Sequence, residues 1–97
     1  MNFEWDEAKN RTNVRKHGFD FADAEEMFRG VLLIRSDTRE DYGEERWIGI
    51  GMIRDRFAFI AFAEPSSETL RVTSLRKATY EERQEYESAL KDGLAAR

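Results

Sequence analysis

The stretch RWIGIGMIRDRFAFIAFAEPSSETLRVTSL (46–75) decides the fold class of this chain. Within it, apolar side chains alternate with polar side chains or glycine, or stand in short apolar runs rich in Phe and Ile. This pattern predicts strands over 46–53, 56–63 and 69–75. Because the connections between them are short, consecutive strands are expected to pair antiparallel.

A fourth strand is predicted upstream at VLLIR (31–35). The four strands would form an antiparallel meander. Its last strand has unequal faces, since Leu70 and Val72 point one way while Arg71 and Thr73 point the other.

Helices are predicted on both sides of these strands. Residues 1–30 read as helical, with Asp6 as the cap of a helix that runs to about Lys16 and Gly18 at its end. Asp20 begins a second helix that Gly30 closes. A third helix is predicted from Tyr80 onward. Its apolar stripe consists of Tyr86, Ala89, Leu90 and Leu94. Helices segregated from a run of strands indicate an α+β fold.

Length and composition exclude several classes of protein. The 97 residues are expected to form one domain, 1–97. The chain has no Cys and one His, which excludes disulfides, thiolate chemistry and multi-His metal sites, so neither a metal nor another cofactor is expected. Its longest apolar run is too short for a membrane span, and we expect a cytoplasmic protein. The net charge of −4 argues against a broad basic surface but permits a local basic patch.

Such a patch is predicted where the last strand meets the last helix. Arg76 and Lys77 end the strand, Thr79 and Glu82 form a capping box, and Arg83 lies one turn into the helix. If the helix folds back on the sheet, Arg71, Arg76 and Arg83 can converge on one anion, since guanidinium groups bind phosphate with two hydrogen bonds. In the alternative interpretation, Arg83 pairs with Glu87 and Arg76 with a nearby carboxylate, as surface ion pairs.

His17 is the only histidine and follows Lys16 at the end of the first helix. A histidine titrates near physiological pH and can transfer a proton. The alternative is that it only compensates the carbonyl groups at the helix end.

Taken together, four stretches resemble one family. They are FEWDEAKNRTNVRKHGFDFADAEEMF (3–28), the run from Asp37 to Arg46, RVTSLRKA (71–78) and the E-R-x-x-Y motif of 82–86. This chain resembles the BrnT family of bacterial type II toxins over nearly its whole length. The resemblance implies a RelE-like toxin fold and a ribonuclease that cuts RNA without a metal and so inhibits translation.

The resemblance also implies partners. These are a BrnA-like antitoxin with a ribbon-helix-helix part, RNA that is free or on the ribosome, and operator DNA reached only through the antitoxin complex. One position departs from the family: relatives often carry T-x-R at the end of the third long strand, where this chain has Ala63-Glu64-Pro65. A proline thus replaces a cation.

The resemblance implies site residues as well. Arg71, Arg76 and Arg83 would clamp the phosphate, and His17 or Tyr86 would transfer a proton. Lys16 and Lys77 would add positive potential at an RNA-binding surface, and Arg46 would join the site or brace it. A second hypothesis is a non-catalytic domain that binds a protein partner through its sheet and exposed arginines.

Overall fold

The structure, a computed structural model, describes residues 1–39, 41 and 43–93. In chain order it has β1 (Asn2–Glu4), α1 (Glu7–His17), a 3₁₀ turn (Phe21–Asp23), α2 (Ala24–Arg29), β2 (Leu33–Ser36), β3 (Arg46–Ile53), β4 (Arg56–Ser66), β5 (Thr69–Lys77) and α3 (Tyr80–Asp92). The strands form one five-stranded sheet in the order β1-β5-β4-β3-β2. None of the helices in this described part is long and apolar enough to cross a membrane.

The predicted start and end of α1 and the predicted start of α3 are confirmed. Asp6 caps α1 by accepting a hydrogen bond from the N–H of Lys9 at 3.0 Å, and Gly18 ends it in the left-handed conformation at φ 73°. Thr79 and Glu82 form the capping box of α3. Leu94, the last residue of the predicted apolar stripe, lies outside the described residues.

The predicted four-stranded antiparallel meander is wrong in one respect. Strands β2 to β5 do pair antiparallel in sequence order, but β1 adds a fifth strand, parallel to β5, so the sheet is mixed. The prediction placed residues 1–30 in helices and missed β1. A three-residue strand has no local pattern long enough to reveal it, and its partner residues Thr69–Arg71 are far away along the chain.

Two apolar clusters cover the two faces of the sheet. The α2 face carries the larger one, in which Phe19, Phe21 and Met27 pack on strand side chains such as Ile60 and Leu75. On this face Gly51 of β3 leaves room for Leu32, because a Cβ there would lie 2.9 Å from Leu32 Cδ1.

The opposite face, here called the α3 face, carries Ile50, Phe59 and Ala61 of the strands with Tyr86 of α3. The Tyr86 ring packs edge-on against Phe57 with the ring centroids 6.0 Å apart, and its hydroxyl donates to the Val31 carbonyl at 2.8 Å. These contacts dock α3 on one end of the sheet.

Helix α1 lies against the outer edge of β5. β1 pairs only with Thr69–Arg71, so the rest of that edge needs another hydrogen-bonding partner. Asn13 supplies it: its amide donates to the Leu75 carbonyl at 2.7 Å and accepts from the Leu75 N–H at 3.2 Å. The same amide nitrogen donates to the Phe19 carbonyl at 3.0 Å. Asn13 is 7% exposed and joins helix, turn and sheet.

A β-bulge changes the register of β5 beside this helix. Ala61 of β4 pairs with Ser74 and Phe62 pairs with Val72, so Thr73 is the extra residue. Its hydroxyl donates to the Ala61 carbonyl at 3.0 Å. The bulge lets Val72 and Leu75 both enter the core on the α2 face while Ser74 and Arg76 lie on the α3 face.

Replacing Asn13 by alanine is expected to lower the free energy of unfolding by about 2–4 kcal/mol, because the buried N–H and C=O of Leu75 lose their partner. Urea unfolding followed by circular dichroism measures this. Arg11→Ala, an exposed change on the same helix, is the control and should stay within about 0.5 kcal/mol of the wild type. Equal losses for the two variants would contradict the role of Asn13.

Candidate functional site: basic surfaces beside the last strand

Pairing with carboxylates divides the cations of this chain into two groups. Most arginines lie within 4.0 Å of an Asp or Glu: Arg29, Arg35, Arg39, Arg46, Arg54, Arg71, Arg76 and Arg83. By contrast, within the described ranges no carboxylate pairs with Arg56 or with any lysine. Within the same ranges, no carboxylate pairs with any basic residue of α1. These residues are Lys9, Arg11, Arg15, Lys16 and His17. The unpaired positive charge is therefore concentrated on α1, although the chain as a whole carries −4.

A groove runs between α1 and β5, and we call it the α1–β5 groove. Its lining is formed by Ala8, Lys9, Thr12, Asn13, Lys16, His17, Thr73 and Ser74. Lys9, Asn13 and Lys16 share one helix face at spacings of four and three residues, and Asn13 turns that face toward β5. Lysine ammonium groups, hydroxyl groups and the only imidazole of the chain thus surround one opening.

The groove continues toward β1. A neighbouring hollow shares Lys9 and Thr73 with it and adds Glu4, Trp5 and Arg71. Arg71 is held there by two carboxylates, with its Nε 3.0 Å from Glu4 and its Nη1 3.6 Å from Glu44.

Glu44 also pairs with Arg46 at 3.1 Å, and Arg46 and Arg71 flank Ala63 on the α3 face. Arg46 therefore belongs to an ion-pair network at the sheet end. Pro65 lies nearby in β4, which continues to Ser66, beyond the predicted end at residue 63.

Arg76 joins β5 to α3. Its guanidinium donates to both carboxylate oxygens of Glu82 at 2.8 Å and to the Lys77 carbonyl at 3.0 Å, and it stacks on Phe59 at 3.8 Å from the ring centroid. Burial by itself would raise the pKa of the Glu82 carboxyl. Hydrogen bonds from Arg76 and the Thr79 N–H, with the charge of Arg76, outweigh burial and hold this pKa below its usual value.

Lys77 and Arg83 lie in a separate opening beside the start of α3, here called the α3 cleft. It is lined by Asp55, Arg56, Phe57, Lys77, Ala78, Thr79, Tyr80 and Arg83. The Arg83 guanidinium lies over the Phe57 ring at 4.4 Å from the centroid and 3.6 Å from Glu87.

The predicted convergence of Arg71, Arg76 and Arg83 on one anion is not observed. Arg71 and Arg76 are separated by about 15 Å along β5, and each of the three guanidiniums has its own carboxylate. The ion pairs of the alternative interpretation, Arg83 with Glu87 and Arg76 with a nearby carboxylate, are the ones that form.

The other predicted site residues also fall into different places. Lys16 and His17 share the α1–β5 groove, Arg71 lies in the adjoining hollow, and Tyr86 is on the face of α3 that packs on the sheet. Tyr86 is 4% exposed and burial raises the pKa of its hydroxyl, so this side chain is placed to hold α3 and not to exchange protons with a ligand.

Sequence reasoning missed Lys9, Thr12 and Ser74 as groove residues and Arg56 as a residue of the α3 cleft. The helical spacing of Lys9, Asn13 and Lys16 was visible in the sequence. That this face meets β5 was not, because it depends on the long-range contact of Asn13 with Leu75. Across the described residues, no group of three His, Asp or Glu side chains is placed to hold a metal ion.

The fold and these surfaces define an α+β protein in which cations without a carboxylate partner among the described residues border a groove, as suits the binding of an anionic polymer. Comparison with known proteins then identifies the family. The model of the family described as "Ribonuclease toxin, BrnT, of type II toxin-antitoxin system" matches residues 5–82. The comparison with curated proteins gave no match.

A solved structure agrees with the family match. The 1.1 Å crystal structure of the Brucella abortus ribonuclease toxin BrnT is 33% identical in sequence, covers 81% of this chain and 97% of its own, and superposes with a TM-score of 0.63. The chain belongs to the BrnT family of ribonuclease toxins of type II toxin–antitoxin systems. Membership in such a system implies an RNA substrate and an antitoxin partner.

Glu82→Gln is expected to destabilise the protein at neutral pH by about 1–2 kcal/mol, because the charge-assisted hydrogen bonds from Arg76 weaken. The folded-state pKa of Glu82 is lowered, so its contribution is full above the unfolded-state pKa and is lost as pH falls through the folded-state value. The difference from wild type should therefore shrink below about pH 4.5.

Urea unfolding at a series of pH values measures this difference. Glu81→Gln, which removes the neighbouring charge in the same helical turn, is the control and should give a smaller loss. If the difference in free energy of unfolding between Glu82→Gln and the wild type stays constant from neutral to acid pH, the carboxylate charge contributes nothing to stability.

Proposed function

We propose that this chain is a metal-independent endoribonuclease that inhibits translation and binds RNA in the α1–β5 groove. One observation carries this proposal: a chain of the ribonuclease toxin family has its only histidine in a groove whose lysines have no carboxylate partner among the described residues. Kinship with the RelE-like toxins is part of the same proposal. Its action would be cytoplasmic.

The groove contains every protein group that this RNA cleavage requires. The 2′-hydroxyl of RNA attacks the adjacent phosphorus, a P–O bond to the 5′ oxygen breaks, and a cyclic 2′,3′-phosphate forms. His17 accepts the proton of the 2′-hydroxyl, and water protonates the leaving oxygen. Lys9 and Lys16 stabilise the negative charge that develops on the phosphate oxygens. Hydroxyl groups of Thr12 and Ser74 offer hydrogen bonds to the sugar–phosphate backbone.

The distribution of charge supports RNA as the ligand despite the net charge of −4. A surface with unpaired cations attracts a polyanion locally even when the average charge is negative, because clefts lined by one sign of charge focus the potential. The groove lysines, Lys9 and Lys16, form such a surface. Arg71, in the adjoining hollow, is held by Glu4 and Glu44 and supports the end of the groove.

The remaining predicted residues have supporting roles in this proposal. Arg76 and Tyr86 hold α3 on the sheet, and Arg46 braces Arg71 through their shared Glu44. Lys77 and Arg83 lie in the α3 cleft and bind RNA away from the reacting phosphate.

His17→Ala is expected to reduce RNA cleavage by about 10²–10⁴-fold, since general acid–base catalysis contributes this much. Lys9→Gln with Lys16→Gln should weaken RNA binding and cleavage together. Arg11→Gln removes a positive charge from the same helix outside the groove and is the matched control. Cleavage of a labelled RNA by purified protein, across pH and with EDTA present, measures all four proteins.

Two results would contradict the assignment. Full cleavage by a folded His17→Ala protein would exclude proton transfer by this residue, and loss of cleavage in EDTA would exclude the metal-independent reaction. If the wild type binds a protein partner tightly but cleaves no RNA, the chain is the non-catalytic binding domain of the second hypothesis.

A BrnA-like antitoxin with a ribbon-helix-helix part is the proposed partner, and operator DNA would be bound only through that complex. Expression of the chain alone should slow growth and protein synthesis, and co-expression of the adjacent gene should restore both. Growth rate and labelled amino-acid incorporation are the measurements. His17→Ala is the non-toxic control, which should still co-purify with the adjacent gene product.

A further inference from the structure

The α3 cleft brings together cations from three elements of the fold. Arg56 begins β4, Lys77 ends β5 and Arg83 lies in the first turns of α3. Only one carboxylate, Asp55, lines the cleft along the described part of the chain. Arg56 and Lys77 have no carboxylate within 4.0 Å among these residues, so their charge is not neutralised inside the protein.

Aromatic rings hold the two guanidiniums in place. Arg56 lies over Phe19 at 4.1 Å from the ring centroid, and Arg83 lies over Phe57 at 4.4 Å. A guanidinium fixed in this way is ordered before a ligand arrives, so less side-chain entropy is lost on binding. Its N–H groups remain suited to phosphate oxygens.

An exposed aromatic ring stands beside these cations. Tyr80, the first residue of α3, is 72% exposed, by far the most exposed aromatic side chain in the described part of the chain. An exposed ring next to phosphate-binding cations is the arrangement with which proteins stack an unpaired base.

We propose that the α3 cleft is a second RNA subsite, in which Arg56, Lys77 and Arg83 bind neighbouring backbone phosphates and Tyr80 stacks on an adjacent base. This inference rests on the proposed function and names its substrate class as single-stranded RNA. A base held in a duplex is not free to stack on a side chain.

The two sites are close enough for one RNA strand to occupy both. Ser74 of the α1–β5 groove and Lys77 of the α3 cleft lie on the same strand, three residues or about 10 Å apart. A strand cut at His17 would therefore be held a few nucleotides from the reacting phosphate. The α3 cleft would set which nucleotide is placed in the groove.

Binding of a short 2′-O-methyl single-stranded RNA, which cannot be cleaved, tests this subsite. Fluorescence anisotropy at several salt concentrations is the measurement. Lys77→Gln is expected to lower the steepness of the dependence of log K on log salt by about 0.7, the value for one lost phosphate contact on a single strand. Arg56→Gln combined with Lys77→Gln should roughly double that change. Lys91→Gln, a change of an exposed lysine at the far end of α3, is the matched control and should change nothing.

The stacking role of Tyr80 has its own variants. Tyr80→Ala should weaken binding of the single-stranded RNA by about tenfold, whereas Tyr80→Phe should keep the wild-type affinity. Neither variant should alter binding of the same sequence as a duplex. Circular dichroism of each variant confirms that it is folded.

The outcomes separate this inference from the proposed function. If Lys77→Gln and Tyr80→Ala bind the single strand as tightly as Lys91→Gln does, the subsite is excluded, and cleavage by the wild type would still support the nuclease. If these variants lose binding as expected but the wild type cleaves no RNA, the subsite stands and the nuclease assignment fails.

Discussion

Asn13 satisfies both hydrogen-bonding groups of Leu75 on the outer edge of β5, and the position of α1 depends on this contact. β1 covers only the first three residues of β5, so the strand would otherwise expose a row of unpaired backbone groups. The side-chain amide of Asn13 pairs with the backbone groups of Leu75 and brings the basic face of α1 against the strand. The groove that contains Lys16 and His17 is a consequence of this arrangement.

Charge pairing separates arginines that hold the fold from cations that remain available to a ligand. Arg76 forms an ion pair with Glu82, which also completes the capping box of α3. One carboxylate therefore links the last strand to the last helix. Arg71 is shared between Glu4 and Glu44 and ties β1 to the sheet end. The cations of α1, with Arg56 and Lys77, have no such partner in the described part of the chain. An acidic protein can therefore still present a basic surface.

Local patterns predicted most of the fold because their causes are local. Alternation predicted β3 at its observed bounds, 46–53, and capping chemistry predicted the start and end of α1. The strand at 2–4 could not be predicted in the same way, since three residues carry no periodicity and their partners are more than sixty positions away. The extension of β4 through Pro65 was also missed, because proline usually marks a loop, but it is tolerated near the end of a strand.

For the fold, the sequence by itself determined the α+β class and the capping of two helices. For the site, it determined the family resemblance and the types of side chain available for phosphate chemistry. It did not determine which cations meet. That depended on the contact of Asn13 with β5 and on the bulge at Thr73, which set the registers of helix and strand. Only the tertiary structure could show that Arg76 is held by Glu82 while Lys9 and His17 face the same groove. Contacts between residues distant along the chain follow from the packing of whole elements, and no local pattern records them.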